Sequence, residues 1–291
     1  MRATRERRDD RKKSENRDDR APRQTRERQR DASEKPPRSS APRVRRRLRS
    51  DFDGDILVCG RRAVSAAISA GRTRRVWIDE RGGGAEDFAR RARDGGAEIA
   101  FASAAEITAL LGESAHQGIA AAAAPPPAEW EKLLAAAPAA PLVVLDGVTD
   151  PRNLGAVMRA ARAFSAVGVV APHRRSAPLS AAAAKASTGA AAFLPLYRAA
   201  NLRRALSELR AAGWTIIGAS EKAETSAAAD LPFPACWVFG DEGGGLRRLT
   251  AESCDFLVRL PTAAGGAGCL NVAAACAACL AISAARNRLP E

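Results

Sequence analysis

From Asp55 to Ala124, short apolar runs alternate with segments whose apolar residues recur at helical spacing. The apolar runs predict strands, and the segments between them predict helices. The predicted strands are 55–60, 74–79, 97–102 and 118–124, and the predicted helices are 61–72, a helix that ends at Asp94, and 103–112. Strands that alternate with helices in this way are typical of a compact α/β unit of about 70 residues.

A second and longer series of the same kind begins at Pro141. Its continuous apolar runs predict buried strands, and we expect a parallel sheet with helices on both faces. The predicted strands are 141–147, 167–172, 194–198, 214–220, 236–240 and 255–260, and the predicted helices are 153–164, 201–213 and 271–287, with a helix and turn over 179–193. Three prolines at 125–127 break both kinds of structure and mark a boundary, which a short linker helix around Trp130 to Leu134 follows.

Residues 1–50 follow neither pattern, and they contain no aromatic residue. They cannot bury enough apolar surface to offset chain entropy, so we expect a disordered tail. The tail has 20 Lys and Arg against 9 Asp and Glu, and it accounts for most of the net charge of +13. Its run RVRRRLR (43–49) suits the phosphates of RNA or DNA, although a tail that only aids solubility has the same composition.

The six cysteines do not have the spacing of metal ligands. Cys276 and Cys279 share one face of a predicted helix, and the two histidines, His116 and His173, fall in different predicted domains. We therefore expect reduced structural cysteines and no metal. The charged N-terminus does not resemble a signal peptide, and the apolar runs are too short or interrupted to span a bilayer, which predicts a cytoplasmic protein without membrane contact.

Three polar clusters follow the C-terminal ends of predicted strands, where open α/β sheets usually bind ligands. They are 146–153 together with Arg159, the glycine-rich 240–246, and the loop that leads to Asn271. Glycines allow close approach of a ligand, and an Asn at a helix start caps free N–H groups. An ordinary tight connection also explains the last cluster, and a surface residue on an amphipathic helix is the alternative for Arg159.

The sequence lacks the motifs of other common nucleotide-binding and hydrolytic sites. Neither G-x-G-x-x-G nor G-x-x-x-x-G-K-[ST] occurs, which argues against a standard dinucleotide or Walker site. No Ser–His–Asp order suggests acyl transfer. The three clusters must therefore be interpreted together.

In chain order, the segments DPRNLGAVMRAARAF, FGDEGGGL and LP…CLNVAAACA resemble the three motifs of the SpoU (TrmH-type) branch of the SPOUT RNA ribose methyltransferases. The resemblance covers about 140–288 and includes KASTGAAAFLPLYR (185–198). Upstream, GRRAVSAAI (60–68) and HQGIAA (116–121) resemble the start and end of a small ribosomal-L30-like RNA-binding domain. That domain precedes the catalytic domain in the RlmB-like large-subunit rRNA guanosine 2′-O-methyltransferases.

The resemblance implies an α/β architecture of four segments. These are a disordered Arg-rich tail (1–50), an L30-like RNA substrate-binding domain (51–124), a linker (125–139) and a SPOUT methyltransferase domain with a parallel sheet and a C-terminal trefoil knot (140–291). It also implies S-adenosyl-L-methionine as cofactor, an RNA substrate and a homodimer. The RNA is expected to be rRNA, with tRNA as the alternative.

The resemblance also assigns site residues. The family's polar active-site positions fall on Asn153, Arg159, Glu242 and Asn271, and its cofactor contacts fall on Gly240, Glu242, Gly243, Leu260 and Leu270. Cys269 stands where the family usually has Ser, and a thiol is a weaker hydrogen-bond partner than a hydroxyl. The loop 261–268 is also one residue longer than the common form. These two departures make a non-catalytic RNA-binding or ribosome-assembly factor on the same scaffold the rival function. The presence of all four polar active-site residues argues against it.

Overall fold

A computed structural model describes residues 54–112, 114–136, 138–263 and 270–287. The predicted disordered tail lies outside the described residues, and so do Cys269 and the glycines at 265, 266 and 268. The described residues form two sheets with helices packed on them.

The first four strands form a mixed sheet in the order β1-β4-β2-β3. The strands are β1 Ile56–Cys59, β2 Thr73–Ile78, β3 Glu98–Phe101 and β4 Ile119–Ala123, and the connecting helices are α1 Arg61–Ser69, α2 Ala85–Asp94 and α3 Ala104–Leu111. Strand β4 is antiparallel to β1 and β2, whereas β2 and β3 are parallel. Every element predicted for this segment is present, with shifts of a few residues at the ends.

The second sheet has seven strands in the order β7-β6-β5-β10-β8-β11-β9, and every neighbouring pair is parallel. Its strands are β5 Leu142–Asp146, β6 Val169–Pro172, β7 Leu196–Ala199, β8 Thr215–Ala219, β9 Thr225–Ser226, β10 Ala235–Gly240 and β11 Phe256–Arg259. The predicted α/β fold with a parallel sheet is therefore confirmed.

Six helices and one turn of 3₁₀-helix accompany this sheet in the described part of the chain. They are α4 Trp130–Ala135, α5 Pro151–Ala163, α6 Ala181–Ala186, the 3₁₀ turn Ala190–Ala192, α7 Leu202–Ala211, α8 Arg248–Ala251 and α9 Val272–Asn287. Helix α5 begins two residues before the predicted start, because the Asp150 side chain accepts a hydrogen bond from the Arg152 backbone N–H and Pro151 fits the first helical turn. The sequence did not predict the short elements β9 and α8.

Helices cover both faces of the parallel sheet. Alternate residues of β5 point to opposite sides, so that Val144 packs with Leu206 of α7 while Val143 packs with the core that includes Met158 of α5. Gly155 of α5 allows close packing on α6, since a Cβ there would lie 2.2 Å from the Ala183 carbonyl oxygen. These contacts fix the start of α5 at the carboxyl edge of the sheet.

The two sheets share one continuous core cluster, which includes Val76 of β2 and Val143 of β5. Small residues form the close contact between them, and a Cβ on Gly189 would lie 2.5 Å from the Ala66 Cβ. Residues 56–123 and 142–259 therefore pack directly against each other.

No disulfide joins the cysteines of the described residues, and most of these cysteines are buried. Burial raises the pKa of the Cys254 thiol and of the Cys279 thiol to about 12, so both remain protonated at neutral pH. Within the described ranges, no group of three or more His, Cys, Asp or Glu side chains could hold a metal ion. No helix in the same ranges has the length and hydropathy needed to cross a membrane.

Candidate active site

Three polar side chains from distant parts of the chain meet at one edge of the parallel sheet. The Asn153 Nδ2 donates a hydrogen bond of 2.7 Å to Glu242 Oε1. The Asn271 Nδ2 donates to Asn153 Oδ1 at 3.0 Å and also to Glu242 Oε1. We call these three side chains the amide–carboxylate network.

Parallel pairing of β5 with β10 brings two of these residues together. The register places Asp146 opposite Gly240, so the loop before Asn153 and the turn that carries Glu242 leave the sheet side by side. Asn271 reaches them from the start of α9, where its Oδ1 accepts a hydrogen bond of 2.9 Å from the Ala273 backbone N–H. Asn271 therefore caps the helix and joins the network, and the predicted role of an Asn cap is confirmed.

The turn after β10 is tight and rich in glycine. Asp241 and Gly245 exchange two backbone hydrogen bonds of 3.1 and 2.8 Å, and Gly245 has a φ of +65°. A Cβ on Gly240 would lie 2.0 Å from the Gly245 carbonyl carbon, so no other residue fits there without moving the turn. Gly243 is exposed and faces open space, and Glu242 stands between them.

A buried carboxylate anchors this turn to β5. Asp146 is 1% exposed, and its Oδ2 accepts a hydrogen bond of 3.0 Å from the Arg247 backbone N–H. The Arg247 guanidinium also lies 3.4 Å from Asp146 Oδ1. Sequence reasoning included Asp146 in a polar cluster but missed its pairing with Arg247. An acidic residue at the end of a buried apolar strand is the signal that could have indicated such an anchor.

The remaining predicted site residues, Arg159, Leu260 and Leu270, take no part in the hydrogen bonds of the network. Arg159 is exposed on α5, and no described residue forms a hydrogen bond or ion pair with its guanidinium. Leu260 packs partly buried against the main core, and Leu270 is 44% exposed beside Asn271. The structure thus joins Asn153, Glu242 and Asn271, and it leaves Arg159 available to a ligand.

The side chains at this edge are suited to orienting a ligand rather than to forming a covalent bond with it. A carboxylate fixes two side-chain amides, and the described residues of the site include no Ser, Cys or Lys held by a base. Groups of this kind bind and align a hydroxyl or a phosphate, and they suit a reaction whose reactive group arrives with a ligand.

Comparison with known proteins places the chain in a class of RNA-modifying enzymes. Residues 140–281 match the SpoU rRNA Methylase family, and residues 57–128 match the family described as RNA 2′-O ribose methyltransferase substrate binding. The chain belongs to the SpoU rRNA methylase family.

Individual relatives agree with this assignment. The chain is 42% identical over 241 residues to a Burkholderia sp protein named 23S rRNA (guanosine-2′-O-)-methyltransferase RlmB. The aligned region covers 80% of this chain and 97% of that protein. It has the fold of an AdoMet-bound rRNA methyltransferase from Sinorhizobium meliloti, with a TM-score of 0.70, 22% identity, and coverage of 86% and 94%. The SpoU methyltransferase AviRb from Streptomyces viridochromogenes, solved with AdoMet, also has a TM-score of 0.70, with 24% identity and coverage of 86% and 98%.

The anchor of the turn is open to a direct test. Replacing Asp146 by Ala removes the acceptor for the Arg247 N–H, and we expect the free energy of unfolding to fall by about 1–3 kcal/mol. The matched control is Asp230→Ala, which removes an exposed partner of Arg286 and should change stability by less than about 0.5 kcal/mol. Urea denaturation measures both, and equal effects of the two variants would contradict the role assigned to Asp146.

Proposed function

We propose that this chain transfers a methyl group from S-adenosyl-L-methionine to a ribose 2′-hydroxyl of RNA, and that the target is a guanosine of large-subunit rRNA. The observation that carries the proposal is the amide–carboxylate network at the glycine-rich turn that begins at Gly240. The similarity to a relative named as a 23S rRNA guanosine 2′-O-methyltransferase supports the choice of substrate.

The residues present fit the cofactor. Gly243 faces open space, and the close packing of Gly240 on Gly245 keeps the turn tight, so backbone groups of this turn can hold an adenine without help from side chains. Exposed Leu270, which precedes Asn271, and partly buried Leu260 offer apolar surface. The proposed cofactor contacts are therefore Gly240, Glu242, Gly243, Leu260 and Leu270, within a C-terminal segment that we propose to be knotted as a trefoil. When bound, the cofactor supplies an electrophilic methyl group.

The catalytic work of the chain is to align the hydroxyl and to stabilise its charge. Glu242 fixes the amides of Asn153 and Asn271, which orient the ribose 2′-hydroxyl. Arg159 forms no ion pair with any described residue. In this proposal its guanidinium contacts the phosphate next to the target ribose and stabilises the 2′-oxygen as the hydroxyl proton leaves. Arg159 remains protonated throughout, because a guanidinium is very hard to deprotonate.

The rest of the chain serves the RNA. In this proposal, residues 51–124 form the L30-like substrate-binding domain, residues 125–139 link it to the catalytic domain 140–291, and the basic tail 1–50 raises general RNA affinity. The substrate-binding match over 57–128 supports the first assignment. The same proposal places the protein in the cytoplasm.

We also propose a homodimer. Four of the five large hydrophobic side chains that are exposed in the described residues fall between positions 249 and 270, namely Leu249, Phe256, Leu257 and Leu270. Exposed apolar side chains of this size suit contact with a second copy of the chain. Sedimentation equilibrium should give about twice the mass of 30.6 kDa, and a single-chain mass at micromolar concentration would contradict the dimer.

The proposed reaction is tested by transfer of labelled methyl from S-adenosyl-L-methionine to purified rRNA and tRNA, followed by nucleoside mapping. We expect 2′-O-methylguanosine in large-subunit rRNA. Glu242→Gln should lower turnover on the order of 100-fold, because the two amides lose their charged acceptor. The matched control, Glu252→Gln at the exposed end of α8, should retain activity.

The other outcomes separate the rival functions. Label in tRNA alone would favour the tRNA enzyme over the rRNA enzyme. No label with any RNA, from protein that is folded and binds RNA, would overturn the enzyme proposal in favour of the non-catalytic RNA-binding factor.

A further inference from the structure

The positive charge of the folded part is concentrated in one stretch. Residues 51–291 carry 26 Lys and Arg against 24 Asp and Glu, so they are nearly neutral as a whole. Residues 151–207, however, contain nine Lys and Arg and no Asp or Glu. This stretch runs from the start of α5 through β6 and β7 to α7, and these elements bracket the carboxyl ends of three neighbouring strands.

The loop after β6 stands beside the active site. Val144 of β5 pairs with Val170 of β6, so β6 ends at Pro172 level with the end of β5 at Asp146. The Ala177 backbone N–H then donates a hydrogen bond of 2.8 Å to the Val148 carbonyl, in the loop that leads to Asn153. Because neighbouring strands lie about 4.8 Å apart, residues 173–176 emerge next to the segment that carries the network.

An arginine on the next strand holds this loop in place. Arg198 of β7 donates through Nη2 to the Ala177 carbonyl at 2.7 Å and through Nη1 to Ser176 Oγ at 2.7 Å and to the Pro172 carbonyl at 3.4 Å. The His173 N–H adds a hydrogen bond of 2.8 Å to the Ala199 carbonyl. Both ends of the loop are therefore tied to β7.

The fixed loop presents cations to solvent. Arg174 and Arg175 are exposed, and within the described residues neither forms an ion pair or a side-chain hydrogen bond. Arg175 has a φ of +57°, which is unfavourable for a residue with a side chain and persists only where the surrounding contacts impose it. The Arg198 contacts thus hold the backbone of the loop that carries these two arginines.

Two further arginines extend this surface along the same edge. Arg152 lies in the first turn of α5, after β5, and Arg203 lies in the first turn of α7, after β7. Both are exposed, and no described residue pairs with their guanidinium groups. Since the sheet order is β7-β6-β5-β10, the segments that carry Arg203, Arg174, Arg175 and Arg152 leave the carboxyl edge in a row that leads towards the network. We call this row the arginine track.

We propose that the arginine track binds the phosphates of the RNA strand that flanks the target nucleotide, and that Arg198 is a positioning residue which holds Arg174 and Arg175 in line with that strand. The inference rests on the proposed function, because it names how the substrate of the same site is guided. Guanidinium groups suit phosphates through paired N–H donors, and a row of them follows a backbone without reading its bases.

The test measures RNA affinity against salt, together with steady-state methyl transfer. Arg174→Ala/Arg175→Ala should raise KM for an rRNA fragment about tenfold while kcat at saturating RNA and cofactor affinity stay within about twofold. The slope of log K against log salt, from fluorescence anisotropy, should fall by about 0.7 for each phosphate that the variant no longer neutralises. The control Lys132→Ala removes an exposed cation on α4, before the amino end of β5, and should leave KM and the salt slope unchanged.

Arg198→Lys separates positioning from simple stability. It keeps a positive charge but cannot form the forked hydrogen bonds to three oxygens, so KM should rise as in the double variant. Adding Arg198→Lys to Arg174→Ala/Arg175→Ala should cause little further change in KM, because both act on one contact with the RNA. Additive effects on KM would contradict the positioning role.

If the double variant keeps the wild-type KM and salt slope while wild type methylates RNA, the arginine track is wrong and the proposed function stands. If wild type methylates no RNA, the proposed function fails. In that case, the salt slopes of RNA binding for wild type and for Arg174→Ala/Arg175→Ala still show whether the arginine track binds RNA. The same comparison applies if Arg198→Lys does not fold.

Discussion

The active edge of this protein depends on the parallel pairing of β5 with β10. That pairing sets Asp146 against Gly240, and it brings together segments separated by 89 residues, those of Asn153 and Glu242. A slip of the register by one residue would move each side chain of a strand to the opposite face of the sheet, where it would meet different helices. The buried apolar residues of both strands forbid such a slip, so the packing of the sheet is what makes the amide–carboxylate network possible.

Two kinds of polar contact then refine the edge. Buried Asp146 holds Arg247 and so closes the glycine turn, and Asn271 ties the start of α9 to the same place. A buried carboxylate is costly unless it is paired, which makes the Arg247 contact a condition of the fold as well as of the site. On the neighbouring strands, Arg198 performs a related task for a loop that faces solvent.

Much of the fold could be predicted from the sequence, because buried strands and amphipathic helices have strong periodic patterns. The exceptions were short. Strand β9 has two residues and α8 has four, so the pattern does not repeat within either element. The antiparallel place of β4 between β1 and β2 also escaped prediction, since apolar periodicity carries no information on strand direction.

The site was predictable only in part, for a related reason. The rule that ligands bind at the carboxyl ends of parallel strands brought the three clusters together, and the family resemblance selected Asn153, Glu242 and Asn271 within them. Long-range pairs such as Asp146 with Arg247 depend on register and side-chain direction, and no local pattern encodes them. The same holds for Arg198, whose contacts join two strands through a loop.

The central claim is that the three network residues act as one unit in methyl transfer. A double-mutant cycle on kcat tests it, with Asn153→Ala, Asn271→Ser and the double variant at saturating RNA and cofactor. Serine preserves the helix cap while it removes the amide donor, so a lower kcat in Asn271→Ser reports on the network itself. The account predicts that the kcat of the double variant lies close to that of the less active single variant, and reductions in kcat that multiply would contradict it.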